Sequence, residues 1–265
     1  MKKTAFFILA VLIVIVGLLY FRGGVSDSMP SLKIGVTSGP HALILEHVKE
    51  RAKKQGLDVK IVEFDDFILP NAALSQGDIQ INSYQHQPFL DEQVKNRQYT
   101  IQSIGKSVLM PMGIYSHKIK SLDEIQHAAK IGVPNDPTNG GRALLLLQKA
   151  GLITIKADVQ QPTLLDITGN PKDLKIVELD APHLPRSLED LDAAVINTDW
   201  VFLAKMDVKS AIYIEAPDSP YVNVIAVKIG DENLPEIKRF MDLYHSEDTK
   251  KFIEEIFKGA VLPGW

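Results

Sequence analysis

The residues best able to do chemistry gather in two short stretches. Pro134-Asn135-Asp136-Pro137-Thr138-Asn139-Gly140-Gly141-Arg142 runs straight into Ala143-Leu144-Leu145-Leu146-Leu147. It reads as a loop that delivers backbone amides at a helix N-terminus, with two glycines that let a ligand approach the main chain and Arg142 as a planar, two-pronged donor. A small carboxylate suits such a site, and the Gly-Lys-Ser/Thr ending of a nucleotide loop is missing. The competing reading of Arg142 is an ion pair with a nearby acid on the surface. The second stretch, Asn82-Ser83-Tyr84-Gln85-His86-Gln87-Pro88-Phe89, packs two aromatics and an imidazole into a strand-to-helix loop. Such a cluster can form an apolar slot with one polar handle, fit for a thioether or an aromatic side chain.

His86 by itself reads equally as a structural histidine, and nothing near it in sequence completes a metal site. Asn197 and Asn223 carry both donor and acceptor groups and could meet an ammonium or a carboxylate, or serve as turn and cap residues. His47 with Glu50, Asp65-Asp66 and the Asp190/Asp192 pair read as a solvated helix face, turns and caps. Gly-x-Ser-x-Gly, His-Glu-x-x-His and Ser-x-x-Lys are absent, and with no cysteine there is no thiolate nucleophile. No catalytic residue, metal or cofactor is expected, and a membrane-tethered hydrolase stands only as an alternative.

Elements that would position these residues alternate along the chain. Strand patterns at 31–36, 59–64 and 78–81 interleave with helical patterns carrying Leu43, Ile44 and Val48, and then Leu90 and Val94. After residues 108–115 the alternation restarts, with strands at 130–133, 174–179 and 193–196, a helix at 142–150 and a further helix at 185–191. A strand at 222–227 and helices at 234–244 and 249–257 close the chain. The expectation is an α/β fold of two lobes, one of residues 32–112 plus 224–265 and the other of 113–223, with a ligand cleft between them at the carboxyl ends of the strands.

With 265 residues, 45% of them hydrophobic and 23% charged, the chain can bury a sizeable core, which excludes a disordered protein. Its net charge of −4 argues against a nucleic-acid surface. Residues 4–21 are uncharged and apolar behind Lys2 and Lys3, and no Ala-x-Ala cleavage pattern follows them. Residues 1–24 are therefore expected to be a signal sequence or signal anchor, and 25–31 a tether. The two lysines would hold the N-terminus in the cytoplasm and place the rest on the outer, periplasmic face of the inner membrane. The missing cysteine rules out a thioether lipid anchor.

Several stretches together resemble the NlpA lipoprotein family, the MetQ-type methionine-binding proteins of ABC importers. They include Phe64-Asp65-Asp66-Phe67-Ile68-Leu69-Pro70-Asn71, Tyr84 to Leu90, Pro134 to Arg142, Leu184-Pro185-Arg186-Ser187-Leu188, Ala194-Val195-Ile196-Asn197 and Ser219-Pro220-Tyr221-Val222-Asn223. The resemblance extends over residues 32–265. It implies a two-lobed periplasmic-binding-protein fold of the type II class, no catalysis, and closure on methionine of either hand or a methionine-containing dipeptide. A membrane permease and an ATPase would be the partners. Carried over by position, Arg142 is the carboxylate clamp with Asn139 beside it, and Asn197 and Asn223 bind the amino acid's polar end. Phe67, Tyr84, His86 and Phe89 line the side-chain pocket. The sequence departs from the family pattern at Phe67, commonly Tyr, at Gly140, frequently Glu, and at Thr198-Asp199-Trp200, where small and polar residues usually precede an aromatic. These departures leave room for a different small amino acid or anion.

Overall fold

In the computed structural model, residues 29–265 are described. The expected signal or anchor segment, 1–24, lies outside them, as do residues 25–28 of the expected tether. Residues 31–265 form one compact unit, and among the described residues no helix is long and apolar enough to cross a membrane.

Elements run in the order β1 (Ser31–Thr37), α1 (Pro40–Lys54), β2 (Asp58–Phe64), α2 (Leu69–Gln76), β3 (Ile81–His86), α3 (Gln87–Arg97) and β4 (Ile101–Lys106). They continue with β5 (Gly113–Tyr115), β6 (Lys130–Pro134), α4 (Pro137–Lys149), β7 (Lys175–Leu179), α5 (Leu184–Ser187), β8 (Ala193–Ile196), α6 (Thr198–Leu203), β9 (Tyr213–Ile214), β10 (Asn223–Lys228), α7 (Pro235–Tyr244) and α8 (Glu247–Phe257).

Two five-stranded sheets result, β2-β1-β3-β10-β4 and β7-β6-β8-β5-β9. Strand β1 is parallel to β2 and β3, as helical crossovers require, and β10 returns antiparallel between β3 and β4. In the second sheet β6 is parallel to β7 and β8, and β5 runs antiparallel to β8 and β9. Helix α1 turns Ile44, Leu45 and Val48 onto Leu32, Ile34 and Val36 of β1, joined there by Phe240, Tyr244, Ile253 and Phe257 from α7 and α8. Around the second sheet, Leu144 and Leu147 of α4 pack on Ile131, Val133 and Val195. The α/β architecture follows the strand–helix alternation of the sequence.

Three local expectations are corrected. Leu43 is 42% exposed, because the helical stripe is centred on Ile44 and Val48. The third strand is Ile81–His86, buried at every position, so Asn82 to His86 form the strand itself and not a loop. It sits between β1 and β10, covered on both faces, and its polar side chains are matched to one another. Asn71 Nδ2 donates to Gln85 Oε1 (2.6 Å), while Asn82 and Gln85 both donate to Asn71 Oδ1 (2.8 and 2.7 Å). Finally, α4 begins at Pro137, so Asn139, Gly140 and Gly141 are helical.

Candidate functional site

The parallel strands converge with their carboxyl ends on one cavity. Thr37 is the last residue of β1 and His86 the last of β3, while Asn197 directly follows β8 and Asp136 lies two residues beyond β6. This is where open α/β sheets bind ligands. All eight sequence candidates, Phe67, Tyr84, His86, Phe89, Asn139, Arg142, Asn197 and Asn223, line it, together with Gln85, Met110, Thr198 and Asp199.

One wall is aromatic. Phe67, on the turn before α2, lies 6.2 Å from the ring of Tyr84, 6.3 Å from Phe89 and 4.9 Å from Trp200. The Tyr84 hydroxyl donates to the Phe67 carbonyl at 2.9 Å, which fixes the turn against β3. Burial raises the Tyr84 pKa well above the usual tyrosine value, so it stays a neutral donor. Thr198 Oγ1 donates to the Pro111 carbonyl at 2.5 Å. Both hydroxyls of the cavity are thus tied to backbone carbonyls, and neither is paired with a histidine as a nucleophile would need.

Opposite stands a polar relay. His86 caps α3, its Nδ1 accepting from the Phe89 N–H at 3.1 Å. The ring proton is therefore on Nε2, which faces Asn139 Oδ1 at 3.4 Å. Burial first, and then the Arg142 charge, lowers the His86 pKa to about 3, keeping the ring neutral. Asn139 Oδ1 also accepts from Asn197 Nδ2 at 2.8 Å, and Asn139 Nδ2 donates to both oxygens of Asp136 at 3.1 and 3.0 Å. Asn197 Oδ1 is buried with no hydrogen-bond partner among the described residues. Asn223, at the start of β10, donates to His41 Nε2 at 3.0 Å. His41 is fully buried, and its pKa too is lowered by burial to about 3.

Arg142 is paired with an acid, but a buried one. Its Nε donates to Glu215 Oε1 at 3.1 Å, Nη2 donates to Glu215 Oε2 and to the Met110 carbonyl (3.0 Å), and the guanidinium lies 4.5 Å from the centre of the Tyr221 ring. Nη1 is left without a hydrogen-bond partner among the described residues. The helix end differs from its expected role as well. The Asp136 side chain caps α4 by accepting from the Asn139 N–H at 2.9 Å, so the first-turn amides face the protein's own carboxylate. A Cβ on Gly140 would come within 2.8 Å of the Pro134 carbonyl oxygen, and one on Gly141 within 3.2 Å of that of Pro162. These glycines admit neighbouring backbone, not a ligand.

Sequence reasoning missed Glu215, Tyr221, His41 and Asp199. Glu215 is 73 positions from Arg142 and carries no local motif. Asp199 stood out only as a departure from the family pattern. The remaining weighed groups are structural: His47 Nε2 is 2.8 Å from Asp248 Oδ2, Asp66 accepts from the N–H groups of Ile68 and Leu69, and Asp192 accepts from that of Lys130.

Comparison with known proteins places this geometry. The NlpA lipoprotein family profile matches residues 32–265. The D-methionine-binding lipoprotein MetQ of Salmonella typhi is 47% identical over 239 residues, covering 88% of each chain, and that of Escherichia coli K12 is 46% identical with the same coverage. Among solved structures, a nutrient-binding protein from Burkholderia cenocepacia bound to methionine is similar with a TM-score of 0.86 at 48% identity, covering 88% of this chain and 100% of that one. A periplasmic substrate-binding protein of an ABC transporter from Coxiella burnetii gives 0.85 at 43% identity, covering 88% and 100%.

Proposed function

Because this chain belongs to the NlpA lipoprotein family, we propose that it is the substrate-binding component of an ABC importer in the cell envelope and closes on methionine. The observation that carries this is one cavity with an aromatic wall at one side and Arg142, Asn139, Asn197 and Asn223 at the other. A thioether packs favourably against ring edges, and the rings of Phe67, Tyr84 and Phe89 stand close enough to one another to surround it. The unengaged Nη1 of Arg142 is the prong for the ligand carboxylate.

In this reading the ligand bridges the halves built on the two sheets and shifts an open–closed equilibrium toward closed. A permease and its ATPase respond to the closed form. Neither cavity hydroxyl is set up for attack, which supports binding without catalysis. With no cysteine for lipid attachment, the apolar run at residues 4–21 holds the protein at the membrane with its binding unit on the periplasmic face.

The test is mass spectrometry of the small molecules released when the purified protein is denatured, with thermal melting in L- and D-methionine. Methionine in the released fraction, and a melting temperature rising with its concentration, are the expected results. Release of a different amino acid, with no shift in methionine, would overturn the ligand assignment.

A further inference from the structure

One charged group of the cavity has no partner charge. Asp199, in the first turn of α6, lines the cavity and is only 4% exposed. Its single side-chain hydrogen bond among the described residues is the one accepted from Thr37 Oγ1 at 3.0 Å. The nearest ring nitrogen, His41 Nε2, is 3.9 Å away and already accepts from Asn223, so it brings no proton toward the carboxylate. Among the described residues no lysine or arginine forms an ion pair with Asp199, and Glu215 engages Arg142 through two of its nitrogens. A buried carboxylate needs a cation or a strong donor set. A second acceptor in the same cavity, Asn197 Oδ1, is also buried without a donor.

We propose that Asp199 is the counter-charge for the ligand's α-ammonium group, with Asn197 Oδ1 as a second acceptor, so that this chain selects amino acids over isosteric acids lacking that group. The assignment rests on the amino-acid reading above and names the subsite for its cationic end. Three N–H donors of an ammonium meet two acceptors supplied from one helix turn, while the ligand carboxylate goes to Arg142. The selectivity arises because a ligand without the ammonium leaves a buried carboxylate and a buried amide oxygen unpaired.

A pH dependence follows. Burial raises the Asp199 pKa to about 7, and an ammonium favours the ionised form. Facing it are His41 from α1 and Arg142 from α4, with Thr37 from β1 as donor, Glu215 behind Arg142, and His86 and Tyr84 across the cavity. The two histidines, at about 3, stay neutral through the relevant range. Methionine affinity should therefore rise with pH by about 30-fold between about pH 5.5 and about pH 8, following the ionised fraction of Asp199.

Calorimetric titration of the full chain and of Asp199→Asn with methionine and with its α-hydroxy analogue tests this. Wild type should prefer methionine by roughly 10-fold or more, with affinity climbing with pH for methionine and not for the hydroxy acid. Asp199→Asn should lose most of the preference and the climb. Should that variant fail to fold, the wild-type pH profiles of the two ligands decide alone. Methionine binding with equal pH profiles for both ligands, or with an unchanged preference in the variant, would overturn the role of Asp199 and leave the methionine reading standing. No methionine binding by wild type would overturn both.

Discussion

Arg142 and Glu215 act as a pair. Their side chains are 4% and 6% exposed, so removing either strands the other's charge in the interior, at a cost of about 3–5 kcal/mol. Arg142→Ala and Glu215→Ala should each lower the free energy of unfolding by about that much in denaturant titration, and the double variant by less than the sum. Strict additivity would mean that the contact is energetically idle. Asp199 acts in the opposite sense on stability. Its pKa is raised from 3.8 to about 7, so the folded chain holds the proton more tightly than the unfolded chain. The stability this contributes at low pH is lost as pH climbs from about 4 through about 7. At about pH 8 and without ligand, Asp199→Asn should raise the melting temperature by a few degrees, and a fall would mean that the carboxylate already has a counter-charge.

At the scale of elements, the start of α4 is the most constrained segment. Asp136 caps the helix and clamps both donors of Asn139, so Asp136→Ala should cost about 1 kcal/mol of stability as a lost cap and weaken ligand binding by releasing Asn139. Gly140→Ala should cost about 1–3 kcal/mol, since the atom in its way is the Pro134 carbonyl, a part of the backbone that cannot swing aside. Thermal melts of both variants check these values. How legible each element was in the sequence depended on its pattern. Helix α7 buries Ile237, Phe240, Leu243 and Tyr244 at helical spacing and could be placed to within a residue. Strand β3, Ile-Asn-Ser-Tyr-Gln-His, is buried throughout yet has no apolar run, because Asn71, Asn82 and Gln85 satisfy one another through a contact that only the folded chain creates. All eight candidate site residues do line the cavity, found mostly through ordered family motifs. Glu215 and His41 were hidden because their partners are distant in sequence.

At the scale of the whole molecule, the two halves touch across the cavity through Thr37 and Asp199, His86 and Asn139, and the rings of Phe67 and Trp200. Deleting the Thr37 hydroxyl, as Thr37→Val, should shift the open–closed balance toward open, read as a larger radius of gyration of the ligand-free protein in solution scattering. No change in that radius would show that the contact does not hold the halves together. The same hydrogen bond has a consequence for transport. When the ligand-free protein closes at about pH 8, above the Asp199 pKa of about 7, it confines an ionised Asp199 without its cation, and that closure is disfavoured until cargo arrives. In the importer proposed above, an ATPase that answers to the closed form would thereby be shielded from futile cycling. Asp199→Asn, which removes the disfavoured charge, should let the unloaded protein close and raise cargo-independent ATP hydrolysis by the reconstituted transporter.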